Sequence, residues 1–171
     1  MIRAILAVDE KGGIGKDGTL PWPKNKTDLA WFKNNTAGHV IVMGANTWEG
    51  GSFKKPLPRR INVVVSARSP ELFEGAHAVI SGDIPQAMLE LEAQYPNLII
   101  WVIGGARIIG EAWPVIQEFY LTRIPGVWEC DTFLSIHSIE KDFKNEYTLH
   151  SQEATFEVWR RGTEPTTPPV I

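Results

Sequence analysis

Short runs of almost uninterrupted apolar residues constrain this chain more than any other feature. Residues 2–8, 40–43, 61–65 and 98–103 read IRAILAV, VIVM, INVVV and LIIWVI. Runs of this length that do not alternate with polar residues suit strands covered on both faces, which requires a parallel sheet between helices. Residues 77–80 add a fifth strand. Between the runs lie helical patterns at 28–35, 46–49, 83–94 and 105–112; Asp83 is a suitable N-cap, with Pro85 tolerated in the first turn. Further strands are predicted at 119–124, 132–134, 147–152 and 155–160. The last two fold back around Glu153 and Ala154 as a hairpin, placing an antiparallel edge on a mostly parallel sheet. The class is α/β. With neither repeat nor interior linker, residues 1–161 read as one domain, and the proline-rich 162–171 as a flexible tail.

Composition sets the outer bounds. With 43% apolar and 22% charged residues in 171, the chain can bury one sizeable core. Cys130 is the only cysteine, so an internal disulfide is excluded and a reducing cytoplasm is the expected compartment. The N-terminal apolar run is too short for a signal peptide or a membrane span. No basic block suggests nucleic acid. The charge is nevertheless uneven: residues 1–60 hold ten basic and five acidic side chains, and 61–171 hold seven and fifteen. The basic half suits a small anion, or simply a solvated surface. His39, His77, His137 and His150 lack paired-ligand spacing, and no G-x-S-x-G is present, so neither a metal nor a serine nucleophile is expected.

Four features bear on chemistry. Gly13-Ile14-Gly15-Lys16-Asp17-Gly18 fits G-x-G-x-x-G, but the continuation Thr19-Leu20-Pro21-Trp22-Pro23 is poorly suited to the helix that a dinucleotide fingerprint needs. It reads as a mobile glycine-rich loop, either a lid or a plain surface turn. Asp28, near a helix start, complements the helix dipole; beside Leu29 and Phe32 it also suits a donor-rich partner such as an amino-substituted heterocycle. Gly104-Gly105, after an apolar strand and before a helix, is either a tight turn or a phosphate approach. Ser66 and Arg68 close another strand with a hydroxyl and a guanidinium, suited to a second phosphate.

In order and spacing these pieces resemble the dihydrofolate reductases. The resemblance is carried by Ala7-Val8-Asp9 with Gly13-Ile14-Gly15, Leu20-Pro21-Trp22, Asp28-Leu29-Ala30-Trp31-Phe32-Lys33, Val42-Met43-Gly44 with Thr47-Trp48-Glu49, and Pro56-Leu57-Pro58 with Arg60-Ile61-Asn62. Val102-Ile103-Gly104-Gly105 and Tyr120-Leu121-Thr122 with Glu129-Cys130-Asp131-Thr132 complete it. It implies a central, mostly parallel eight-stranded sheet with an antiparallel C-terminal edge and about four flanking helices. It also implies a cytoplasmic monomer that reduces dihydrofolate with NADPH, binding neither nucleic acid nor membrane.

The resemblance also assigns roles. Asp28 would accept hydrogen bonds from the pterin, with Thr122 assisting, and a water admitted near Leu20 and Trp22 would supply the proton to N5. Ile5 and Leu6 would wall the inner pocket, Leu29, Phe32 and Leu57 would clasp the substrate rings, and Arg60 would pair with the α-carboxylate of the glutamate tail. Lys33 and Lys55 would be looser anion contacts. For the cofactor it implies Ala7 and Ile14 at the nicotinamide amide and Thr47 with the Gly104-Gly105 turn at the pyrophosphate, with Gly15, Thr19, Gly44, Asn46, Ile103, Ala106, Arg107 and Ile108 as further cofactor contacts. Ser66, Ala67 and Arg68 would meet the 2′-phosphate, and a cis peptide is expected between Gly104 and Gly105.

Some positions depart from the family pattern. Ala45 replaces a frequent basic contact to the 2′-phosphate, which Arg68 would have to supply. Ile109 stands where an aromatic ring often underlies the nicotinamide, and 50–53 is a lengthened, flexible loop. Of the tryptophans, Trp22 is expected at the lid and Trp31 and Trp48 around the cleft, the others in packing. Two other readings remain open at this point: the related reductase of riboflavin synthesis, and a non-catalytic binding module that keeps the fold.

Overall fold

The structure is a computed structural model and describes residues 1–16, 19–50 and 55–162. The tail beyond 162, residues 51–53 of the lengthened loop, and Asp17 and Gly18 of the glycine-rich segment lie outside the described residues.

The apolar runs form the middle of one eight-stranded sheet. Its strands are β1 (Ile2–Val8), β3 (Val40–Gly44), β4 (Ile61–Val65), β5 (Ala78–Ile80), β6 (Ile100–Gly104), β7 (Glu118–Arg123), β9 (Phe143–His150) and β10 (Thr155–Arg161), in the order β5-β4-β3-β6-β1-β7-β10-β9. Every pairing from β5 to β7 is parallel, and β10 runs antiparallel to both β7 and β9. β3 is buried along its whole length, as a strand with helices on both faces must be. β9, at the edge, is exposed at every residue but Phe143.

Helices α1 (Lys26–Thr36), α2 (Ala45–Glu49), α3 (Ile84–Gln94) and α4 (Ala106–Ala112) fall where helical patterns were predicted. Asp83 caps α3, its side chain accepting from the Gln86 N–H. A fifth helix, α5 (Ile136–Asp142), was not anticipated. Ser135 caps it by accepting from the Ser138 N–H at 3.2 Å, and Ile139 is fully buried beneath it. Its last residue, Asp142, accepts from the indole N–H of Trp113 at 2.8 Å.

Two expectations about the strands are corrected. Residues 132–134 do not close the main sheet: Thr132–Phe133 is β8, and it pairs antiparallel with β2 (Gly13–Gly15) as a separate two-stranded ribbon. The first half of the glycine-rich motif is therefore strand rather than free loop. Asp9 ties this ribbon down. Its Oδ1 accepts from the N–H groups of Lys11 and Gly13 at 2.8 and 2.9 Å, and its Oδ2 from Trp128 at 2.9 Å. Burial would raise this carboxyl's pKa, but the three amides outweigh it and hold the pKa below the ordinary value. A Cβ on Gly13 would lie 2.3 Å from Cys130 Sγ. Gly13→Ala should therefore cost about 1–3 kcal/mol by overpacking, read as a lowered melting midpoint.

The chain order creates a crevice. From β1 the chain moves outward through β3, β4 and β5, returns to insert β6 between β3 and β1, and then leaves on the other side through β7. Crossovers on opposite sides part at the carboxyl ends of the central strands, where open α/β sheets bind ligands.

Candidate active site

One cleft of about 1360 Å³ occupies that crevice. Its floor is Ile5, Leu6 and Ala7 of β1. Helix α1 supplies Asp28, Leu29, Phe32 and Lys33, while Leu57 and Arg60 stand at the same end. Ile14, Gly15, Thr19 and Leu20 form the opposite lip. Gly44, Asn46 and Thr47 follow β3, Ser66, Ala67 and Arg68 follow β4, and Ile103, Gly104, Gly105, Ala106, Arg107 and Ile108 lie at the end of β6 and the start of α4.

Two expected positions fall elsewhere. Trp22 is buried, packed with Ile124, Ala154 and Phe156 rather than standing at a lid. Lys55 lies outside the lining, its ammonium 5.6 Å from the centre of the Trp48 ring. Thr122 is buried on β7, paired in register with Ala7, and turns its hydroxyl toward the Asp28 carboxyl. Ile109 is fully buried in the main core. Of the two tryptophans expected around the cleft, Trp31 stacks on Phe156 at 4.6 Å and Trp48 is 1% exposed in the core.

Asp28 is the chemically distinctive group. Asn25 caps α1 by accepting from the Asp28 backbone N–H at 3.0 Å, which fixes the carboxyl in the first turn. The side chain is buried between apolar neighbours and meets no cation among the described residues. Burial raises its pKa; the Thr122 hydroxyl opposes this by facing the carboxyl, though it completes no hydrogen bond of its own among the described residues.

Arg60 is the second buried charge. Its Nε donates to the Pro58 carbonyl at 3.0 Å and its Nη1 to the Thr36 hydroxyl at 3.1 Å. The guanidinium also lies 5.9 Å from the Phe32 ring centre, and no carboxylate pairs with it among the described residues. Burial, aided by neighbouring Arg59, lowers its pKa.

Sequence reasoning missed the residue that holds this end in shape. Asn62 is fully buried in β4; its Oδ1 accepts from the Leu57 N–H, and its Nδ2 donates to the carbonyls of Leu57 and Arg60, all at 3.0 Å. A polar residue inside the apolar run INVVV was the available signal. Asn62→Ala should cost about 2–3 kcal/mol of stability, since it leaves buried backbone groups unpaired. Because Leu57 and Arg60 are set by it, the substrate KM should rise several-fold with kcat little changed.

The other end is shaped for a dinucleotide. The Gly104–Gly105 peptide is cis. A Cβ on either glycine would fall 3.8 or 3.9 Å from the Thr47 hydroxyl oxygen, so the missing side chains leave a shallow cradle facing a hydroxyl. A Cβ on Gly44 would come 3.0 Å from Ile108 Cγ1, so that side chain would have to give way. Ser81, Gly82, Glu49 and Glu111 also line this end and were not foreseen. The first two follow β5 as Ser66 follows β4, and strand-end reasoning applies to them equally. Among the described residues no cluster of His, Cys, Asp or Glu could hold a metal ion, and no helix is long and apolar enough to cross a membrane.

A family model described as Dihydrofolate reductase matches residues 1–161. The chain belongs to the dihydrofolate reductase family. Dihydrofolate reductase type 8 of Escherichia coli is 33% identical over 157 residues, spanning 88% of this chain and 92% of that protein. The dihydrofolate reductase of Bacillus subtilis is 36% identical over 156 residues, spanning 91% and 85%. A solved structure of dihydrofolate reductase from Enterococcus faecalis, complexed with NADP(H) and RAB-propyl, superposes with a TM-score of 0.78 at 29% identity, covering 94% of this chain and 96% of that one. A dihydrofolate reductase fold thus accounts for the eight-stranded sheet, its antiparallel edge and the cleft.

Proposed function

We propose that this cleft carries out NADPH-dependent reduction of 7,8-dihydrofolate to tetrahydrofolate. The observation that carries the reading is Asp28, a buried carboxylate with no cation beside it among the described residues, set in an apolar wall that continues to the glycine cradle. When bound, NADPH would supply the hydride that reaches C6 of the substrate. Asp28 accepts the amino and ring N–H donors of the pterin, which orients the ring and polarises it toward protonation at N5. Because Asp28 grips the edge away from N5, the proton comes from solvent. Leu20, 41% exposed on the cleft lip, borders the path by which water enters. Leu29, Phe32 and Leu57 clasp the rings, and Arg60 forks onto the tail carboxylate.

At the cofactor end, Ala7 and Ile14 offer backbone groups to the nicotinamide amide, Thr47 and the Gly104–Gly105 turn meet the pyrophosphate, and Ser66 with Arg68 receives the 2′-phosphate. Residues 1–161 form the catalytic domain. The protein works as a cytoplasmic monomer: the family resemblance supports the monomer, and a single cysteine supports a reducing compartment. Purified protein mixed with dihydrofolate and NADPH should consume reduced nicotinamide absorbance in step with tetrahydrofolate formed. NADPH bound without turnover would instead favour the riboflavin-pathway reductase or a binding module.

A further inference from the structure

The cofactor end of the cleft holds a charge pair whose members have opposite preferences. Arg68, just past β4, places its Nη2 2.5 Å from Glu49 Oε1 at the end of α2. Its backbone N–H donates to Ser66 Oγ at 3.1 Å, and its guanidinium rests 5.1 Å from the Phe73 ring centre. Both side chains line the cleft, and they are 49% and 44% exposed. The remaining arginine on this wall, Arg107, is itself engaged with Glu111 at 3.0 Å, and position 45 offers only a methyl group.

The two nicotinamide coenzymes differ at the adenosine ribose, which carries a 2′-phosphate in one and a 2′-hydroxyl in the other. A carboxylate accepts from the hydroxyl and repels the phosphate, and a guanidinium does the reverse. We propose that the Glu49–Arg68 pair is the coenzyme selector of this chain, and that Glu49 is the residue holding down its preference for the phosphorylated form. An exposed ion pair is weak, so a phosphate can draw Arg68 away. The Glu49 carboxylate stays tethered nearby and opposes the incoming charge, whereas a 2′-hydroxyl finds its acceptor already in place.

This rests on the cofactor reading above, and the experiment separates the two. Dissociation constants for NADPH and NADH would be measured by quenching of tryptophan fluorescence, alongside kcat/KM for each, on the wild type, Glu49→Gln, Arg68→Gln and the double variant. Glu49→Gln should raise the NADPH-to-NADH affinity ratio about tenfold, and Arg68→Gln should lower it by a similar factor. In the double variant the two effects should largely cancel, because the carboxylate that repels the phosphate and the guanidinium that attracts it are both gone. Glu49→Ala repeats the measurement with a different side chain. A ratio that moves less than about twofold in both Glu49 variants, with both coenzymes bound, would overturn the selector. Failure of the wild type to bind either coenzyme would overturn the cofactor reading, and the selector with it.

Discussion

Asp28→Asn should lose on the order of 10²-fold or more in kcat/KM for dihydrofolate while melting at a higher temperature than the wild type at neutral pH. The loss follows from geometry. An amide of the same shape offers only one acceptor, and its NH₂ opposes the donors of the amino-heterocycle, so the ring is neither oriented nor polarised. Turnover within about threefold of wild type would remove Asp28 from the mechanism.

The gain in stability follows from the direction of the carboxyl's pKa. Burial raises it above its unfolded value, so between the two values the folded state binds more protons than the unfolded one. Stability then falls as pH rises through that window, and above it the charged group disfavours the fold in full. Replacing the carboxylate by a neutral amide removes this penalty at neutral pH. The advantage of the variant should shrink as pH is lowered through the folded-state pKa, where the wild-type carboxyl is protonated as well. Thermal melts of both proteins across that range test the sign, and a less stable Asn variant at neutral pH would contradict it. A group that costs stability yet lines the cleft is what a binding role predicts.

The inner strands were legible because burial on both faces leaves no choice of residue: Val40 to Met43 are all fully buried and all apolar. The ribbon of β2 and β8 was not, since Gly13–Gly15 has little intrinsic strand preference and is held by Asp9 and by pairing over a hundred residues away. Helix α5 hid for a related reason. It presents only Ile136 and Ile139 as an apolar repeat, too short a pattern to register, and its buried Asp142 reads as a surface residue until the Trp113 indole is seen beside it. At the site, residues on strand ends and on α1 could be placed because local structure aims them. Trp22 could not, since its ring turns away to meet Ile124 and Phe156, partners that only the tertiary fold supplies. Lys55 likewise lies against Trp48 instead of the cleft.

Arg60→Leu should raise KM for dihydrofolate by about 30- to 150-fold while leaving kcat within a few-fold of wild type. The guanidinium is 8% exposed, held by Thr36 and Pro58, and neutralised by no carboxylate among the described residues. A buried cation of this kind is unfavourable by itself and gains its counter-charge when a tail carboxylate arrives. A charge-assisted fork of this type contributes about 2–3 kcal/mol, which is the expected loss in KM. Since the tail is remote from C6 and N5, the interaction is the same in ground and transition states and falls on KM rather than kcat. The decisive control is a substrate lacking the glutamate tail: wild type and Arg60→Leu should then show the same KM. If the variant is still weaker with that substrate, Arg60 acts by shaping the wall through Phe32 and Leu57 rather than by pairing with a carboxylate. Arg60→Lys should recover only part of the loss, because an ammonium cannot reach Thr36, the Pro58 carbonyl and a carboxylate with the fixed fork that a guanidinium offers.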